Sequence, residues 1–181
     1  MPEDKKENKK IRQPVKKQIS TKKLVINLII KISVIVLALW GAFTFVIGIT
    51  INYGNQMHPA VNDGDLVISL KLQRPYLNAA VLYKVNGKKT VGRIVGLPGN
   101  TIDIAENGML LVNGVNPPEE VFYPTFKAEN SNIKFPLTVE ENKVFILNDF
   151  REDTNDSRTF GPVDMNDIDG PLLLTVRRRG F

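Results

Sequence analysis

Few residues in this 181-residue chain could do chemistry. There is no cysteine, which excludes disulfides, thiol catalysis and Cys-ligated zinc. The single histidine, His58, would have to serve any Ser-His-Asp triad, with Ser69, Ser131 or Ser157 as nucleophile. Asp63 and Asp65 flank a glycine and could present oxygens to a hard cation. No further ligands follow at the spacing of a calcium loop, so a structural turn is expected, and neither metal nor other cofactor is implied. Just before this turn runs Gln56-Met57-His58-Pro59-Ala60-Val61-Asn62. The primary amide of Gln56 has no readily lost proton and is no acyl nucleophile at neutral pH, whereas a serine needs only an adjacent base to become one.

Two further stretches share this character of a site without its reactive groups. Val91-Gly92-Arg93-Ile94-Val95-Gly96-Leu97-Pro98-Gly99-Asn100 joins an apolar strand to a tight turn, in which glycine supplies unusual φ and proline fixes it. Asn148-Asp149-Phe150-Arg151-Glu152-Asp153-Thr154-Asn155-Asp156-Ser157-Arg158-Thr159-Phe160-Gly161-Pro162-Val163 concentrates acids, bases and hydroxyls. Together, in this order behind one apolar anchor, the three stretches resemble the motifs of type I signal peptidases (peptidase S26). That family reads Ser-Met-x-Pro followed by Gly-Asp, then Lys-Arg-hydrophobic-hydrophobic-Gly-Leu-Pro-Gly-Asp. Its third motif is Gly-Asp-Asn-Arg, then Ser-x-Asp-Ser-Arg and Phe-Gly-Pro.

The resemblance places Gln56 where the family has its serine nucleophile and Gly92 where it has the lysine base. Thr154 falls on a serine that hydrogen-bonds that lysine. Arg93 with Asp149, and Asp156 with Arg158, fall on acid-base pairs that brace the site. Asn148 replaces a glycine and Phe150 an asparagine. Lys88 cannot stand in for the base, because four strand residues put its Cα about 13 Å from Gly92. Lys89 points to the opposite face of a regular strand. Two arrangements of Gln56 remain open: its side chain fills the space left by the lysine and hydrogen-bonds Thr154, directly or through one water, or it points outward into open groove.

The elements that must position these residues are β-strands. Asn86-Gly87, Asn107-Gly108 and Asn113-Gly114 predict three hairpin turns, since both residue types tolerate positive φ. Strands are predicted over 66–70, 81–85, 90–95, 101–104, 109–112, 144–147 and 172–176 from their β-branched and leucine content. No segment beyond 51 shows helical periodicity, and 117–136 reads as an irregular excursion. The fold class is therefore mainly β, an antiparallel signal-peptidase-like domain with one N-terminal transmembrane helix.

That helix is predicted over 32–51, where no charge occurs and 20 residues span about 30 Å. Residues 1–31 carry ten Lys/Arg against three acids, whereas 52–181 carry fourteen against sixteen. Basicity confined to one end argues against nucleic-acid binding and, by the positive-inside rule, for a cytoplasmic tail with 52–181 outside. No Ala-x-Ala-like site follows the span, so the anchor is expected to stay attached.

The resemblance implies a non-catalytic membrane protein of the branch found with streptococcal pilus genes, assisting pilus assembly. Its peptide groove would use Gln56, Met57, Pro59, Gly92, Arg93, Ile94 and Val95 to hold pilin precursors near a sortase. Two alternatives stand beside it. One is an active peptidase with an unorthodox nucleophile such as Ser69, Ser157 or Thr154. The other is a scaffold that binds through 117–136 or the basic tail.

Overall fold

The computed structural model describes residues 20–118, 121, 123–129 and 131–177. Residues 1–19 of the expected tail, and parts of 117–136, lie outside the described residues. Helix α1 (Thr21–Gly41) continues through a π-helical turn, Ala42–Val46. Thr21–Val46 is 26 residues long, about 39 Å at 1.5 Å per residue, and holds an 18-residue stretch of mean hydropathy 2.4, long and apolar enough to cross a bilayer.

The expected span of 32–51 is thus shifted. Ile47–Ile51 is strand β1, not helix, and pairs antiparallel with β2 (Leu66–Leu70) from Ile47↔Leu70 to Ile51↔Leu66. Hydropathy alone could not separate the two. Both are apolar, but the run Ile-Gly-Ile-Thr-Ile is β-branched at every second position and alternates like a strand. Gly48 lets the two strands approach closely. A Cβ there would meet Ser69 Oγ of β2 at 2.3 Å.

The remaining strands are β3 (Ala80–Val85), β4 (Lys88–Gly96), β5 (Thr101–Ile104), β6 (Leu110–Val112), β7 (Leu137–Thr138), β8 (Lys143–Leu147), β9 (Val163–Asp164) and β10 (Ile168–Val176). They build a seven-stranded sheet in the order β1-β2-β10-β3-β4-β8-β9 and a three-stranded sheet β6-β5-β7. All pairings are antiparallel. The seven predicted strands are present with ends moved by a few residues; β1, β7 and β9 were not anticipated. At Asn86 (φ 50°) and Gly87 (φ 75°) the two-residue turn closes the β3–β4 hairpin, with Val85 opposite Lys88. Asn113 and Gly114 turn the chain in the same way after β6, while at Asn107-Gly108 only the glycine takes positive φ.

Three packed clusters hold the sheets. Val95, Ile102, Ile104, Phe145 and Leu147 join the small sheet to the large one. Val81, Tyr83, Ile94, Val144 and Ile146 pack on one face of the large sheet. Met57, Val61, Val67, Leu82 and Val91 pack on the other and anchor the loop that carries Gln56.

Candidate functional site

Two ion pairs frame the site. Arg93 on β4 grips Asp149 through Nε (2.7 Å) and Nη2 (2.6 Å), while its Nη1 donates to the Asn78 carbonyl. Asp156 and Arg158 are both fully buried, and a pair in that setting is tolerable only when every lone pair and proton is matched. Here the matching is extensive. Arg158 donates to Asp156 through Nε and Nη2, and to the carbonyls of Arg151, Asp153 and Phe126. The other lone pairs of Asp156 accept from the main-chain N–H of Asn148 and Arg158. The loop 148–158 is therefore folded around a guanidinium, with Asp156 also capping the short helix α2 (Ser157–Phe160).

Asn148 and Phe150, two of the departures from the resembled motifs, lie in this loop. Asn148 Nδ2 donates to the Asp153 carbonyl at 3.1 Å and latches the loop across its width. Phe150 sets its ring edge-on against Tyr123, 5.5 Å between centroids, and its N–H donates to the Gln56 carbonyl at 2.9 Å. That bond ties the third motif to the first.

Gln56 makes no direct hydrogen bond to Thr154. Its Nε2 donates to Asn52 Oδ1 and to Thr90 Oγ1, each at 3.2 Å, so both amide protons are committed and the side chain is fixed. Asn52 is held in turn by donating to the Gly54 and Asn62 carbonyls. Nor is there a lysine-shaped space for Gln56 to fill. A Cβ on Gly92 would lie 2.4 Å from Ile146 Cγ2, 3.1 Å from Tyr83 Cε1 and 3.5 Å from the Leu147 carbonyl oxygen. Interiors close over such space because voids forfeit contact. Here β8 and β3 do so from either side.

Tyr83 is the polar member of that plug, and both members are buried. Its hydroxyl makes no hydrogen bond among the described residues. Burial, reinforced by the negative fields of Asp156 and Asp153, pushes the phenol pKa well above its ordinary value of 10. A phenol held so firmly neutral cannot replace an amine as general base near neutral pH.

The cleft beside Gln56 has a volume of about 770 Å3 and is walled by Thr50, Tyr53, Val85, Lys88, Thr90, Asn148 and Asn155 among others. This corrects the expected groove. Met57, Gly92, Ile94 and Val95 are buried and do not line this cleft, which uses β4 at Lys88–Thr90 instead. The reason is register. From Arg93 onward the second edge of β4 is covered by β8 (Arg93↔Leu147, Ile94↔Ile146), so only the start of the strand offers a free edge. Pro59 and Arg93 instead line a cleft of about 220 Å3 with His58, Tyr123 and Asp149. Thr154 lines a third, of about 580 Å3, with Arg151 and Thr159.

The rival nucleophiles fare no better. Ser69 and Ser157 are 0% exposed, and Ser157 Oγ accepts from the Ile146 N–H. Ser131 accepts from the Ile133 N–H two residues on, and the His58 ring bonds Asn62, not a serine. No cluster of three or more His, Asp or Glu suited to a metal occurs among the described residues. Thr90 is a site residue that its position in the sequence could have indicated: two residues before Gly92 on one strand, it shares that face. Tyr83 and Ile146 had no such signal, because their approach depends on which strands flank β4.

Comparison with known proteins adds lineage. The family model for signal peptidase, peptidase S26, matches residues 25–176. The chain is similar to "Inactive signal peptidase IA" of Staphylococcus aureus (strain MW2), 31% identical over 167 residues, covering 84% of this chain and 91% of the relative. It is also similar to "Signal peptidase IB" of Staphylococcus aureus (strain COL), 27% identical over 171 residues, covering 83% and 88%. A crystal structure of a signal peptidase I from Enterococcus faecalis is 28% identical with a TM-score of 0.48, covering 55% of this chain and 97% of that one.

Proposed function

The chain belongs to the signal peptidase family, peptidase S26, and from that premise we propose that it is a non-cleaving member which holds an extended peptide at the membrane. Relatives by name include both an inactive and an unqualified signal peptidase, so lineage alone does not decide activity. One observation carries the reading: at Gly92 the place of a base is closed by Ile146 and Tyr83, while a cleft of about 770 Å3 stays open beside Gln56.

Chemistry needs a nucleophile and a base, but backbone pairing needs neither. β1 is an edge strand, and β4 at Lys88–Gly92 is paired only with β3 among the described residues. Residues near the end of β1 and at the start of β4 both line the cleft, so an extended peptide can pair with strand edges there. We place the helix as a retained anchor with its N-terminus in the cytoplasm, on the charge asymmetry of the sequence. The clients we propose are pilin precursors, held near the sortase that polymerises them; resemblance to the pilus-associated branch supports this choice.

The test is a photo-crosslinking residue at position 56 in cells of the source organism, combined with deletion of the gene. Capture of a pilin and loss of polymerised pili are expected. Normal pili in the deletion strain would refute the role in assembly.

A further inference from the structure

Within the reading of a peptide-holding cleft, we propose that the occupant is selected for amide, hydroxyl and acidic side chains, not for the small apolar side chains of a signal-peptide cleavage site. The argument starts from hydrogen-bonding capacity left over around the cleft. Gln56 spends both amide protons on Asn52 and Thr90, which leaves its Oε1 without a partner among the described residues. Thr90 Oγ1 accepts from Gln56, so its own proton remains to be donated. Asn148 uses Nδ2 on the Asp153 carbonyl and keeps Oδ1. The side-chain amide of Asn155 is exposed and has no bond among the described residues. Each of these four residues lines the same cleft.

A methyl group pressed against these atoms would strip their water and return nothing, whereas an amide or hydroxyl would replace the lost hydrogen bonds. Sites built this way reject analogues that lack the polar group, because the site's own groups are then left unpaired. The walls also supply carbon from Val85 and Tyr53, which suits the short stems of Asn, Gln and Thr. Charge is uneven too: Asp153 brings a carboxylate to the cleft beside Asn155, while Lys88 and Lys89 bring ammonium groups at its β4 end. Lys89 is drawn to Asp169 at 2.6 Å, while Lys88 is exposed and has no ion pair among the described residues. Lys88 therefore marks the end of the cleft where one carboxylate of the peptide would lie. The recognised segment is a polar, extended stretch with an acidic residue.

The experiment is selection of a random nine-residue peptide library on phage against the full-length protein in detergent micelles, with empty micelles as control. Selected peptides should be enriched in Asn, Gln, Thr and Asp or Glu, and should bind at least tenfold more tightly than an alanine-rich peptide of equal length. Exposed Lys88→Glu should weaken acid-bearing peptides about tenfold, and the near-isosteric Thr90→Val should narrow the preference over the alanine-rich peptide. Enrichment of alanine and other small apolar residues would overturn this proposal while leaving a peptide-holding cleft intact. Selected peptides indifferent to both substitutions would place the preference elsewhere on the protein and overturn the assignment. No enrichment over empty micelles would overturn the peptide-holding reading itself, and this proposal with it.

Discussion

Gly92→Ala is the smallest perturbation that probes whether the base position has been built over. The added Cβ would sit 2.4 Å from Ile146 Cγ2, far inside van der Waals contact, and 3.1 Å from Tyr83 Cε1. Neither neighbour is a loose chain end: both are 0% exposed and packed in one cluster with Val81, Ile94 and Val144. Overpacking of this kind costs about 1–3 kcal/mol. For a chain of this length that lowers the melting temperature by about 2–12 °C. Ile146→Ala alone should cost about 2–5 kcal/mol by leaving a cavity. The two together should cost less than their sum, with a coupling of about 1 kcal/mol or more, because each makes room for the other. Thermal unfolding of the full-length protein in detergent, followed by circular dichroism, reads all three. A Gly92→Ala protein that melts within 1 °C of its parent would refute the reasoning. The same geometry means that Gln56→Ser with Gly92→Lys should stay inactive until Ile146 is also reduced.

Tyr83→Phe should leave stability unchanged or raise it by about 1 kcal/mol, since it removes a buried hydroxyl that has no partner among the described residues. Tyr83 also predicts alkaline sensitivity: its folded pKa lies above the unfolded value of 10, so stability is full below about pH 10 and falls as pH rises beyond it. Denaturant titrations from pH 8 to 11 should show that loss in the parent and a smaller one in Tyr83→Phe. Arg158→Met should cost about 3–5 kcal/mol, because it removes the partner of a fully buried carboxylate; a loss below 1 kcal/mol would contradict the scaffold described for loop 148–158. Gly87→Ala, at φ 75° in the β3–β4 turn, should cost about 1–2 kcal/mol by equilibrium unfolding.

Most of the β framework was legible because its signals are local. Asn86-Gly87 and Asn113-Gly114 announce positive φ, and Leu66–Leu70 reads as a strand within five residues. The boundary at Ile47 was not, because an apolar strand and the end of an apolar helix have the same hydropathy, and only pairing with β2 separates them. The site divides along the same line. Gln56 and Gly92 were identified as departures from the resembled motifs, but what fills the space at Gly92 was invisible, since Ile146 lies 54 positions away in the chain. The open face was misplaced for a related reason. Ile94 and Val95 follow Gly92 in sequence, yet β8 covers that half of β4 and leaves only Lys88–Thr90 for a ligand.

The claim that this family member does not cleave is tested most directly by incubating the purified full-length protein, in detergent, with a secretory precursor carrying an Ala-x-Ala-type site and analysing the products by mass spectrometry. The account predicts no product above a mock preparation, because the amide of Gln56 is not a nucleophile and Gly92 offers neither a base nor the space for one. A cut at the Ala-x-Ala site that appears with this protein and not with the mock preparation would contradict it.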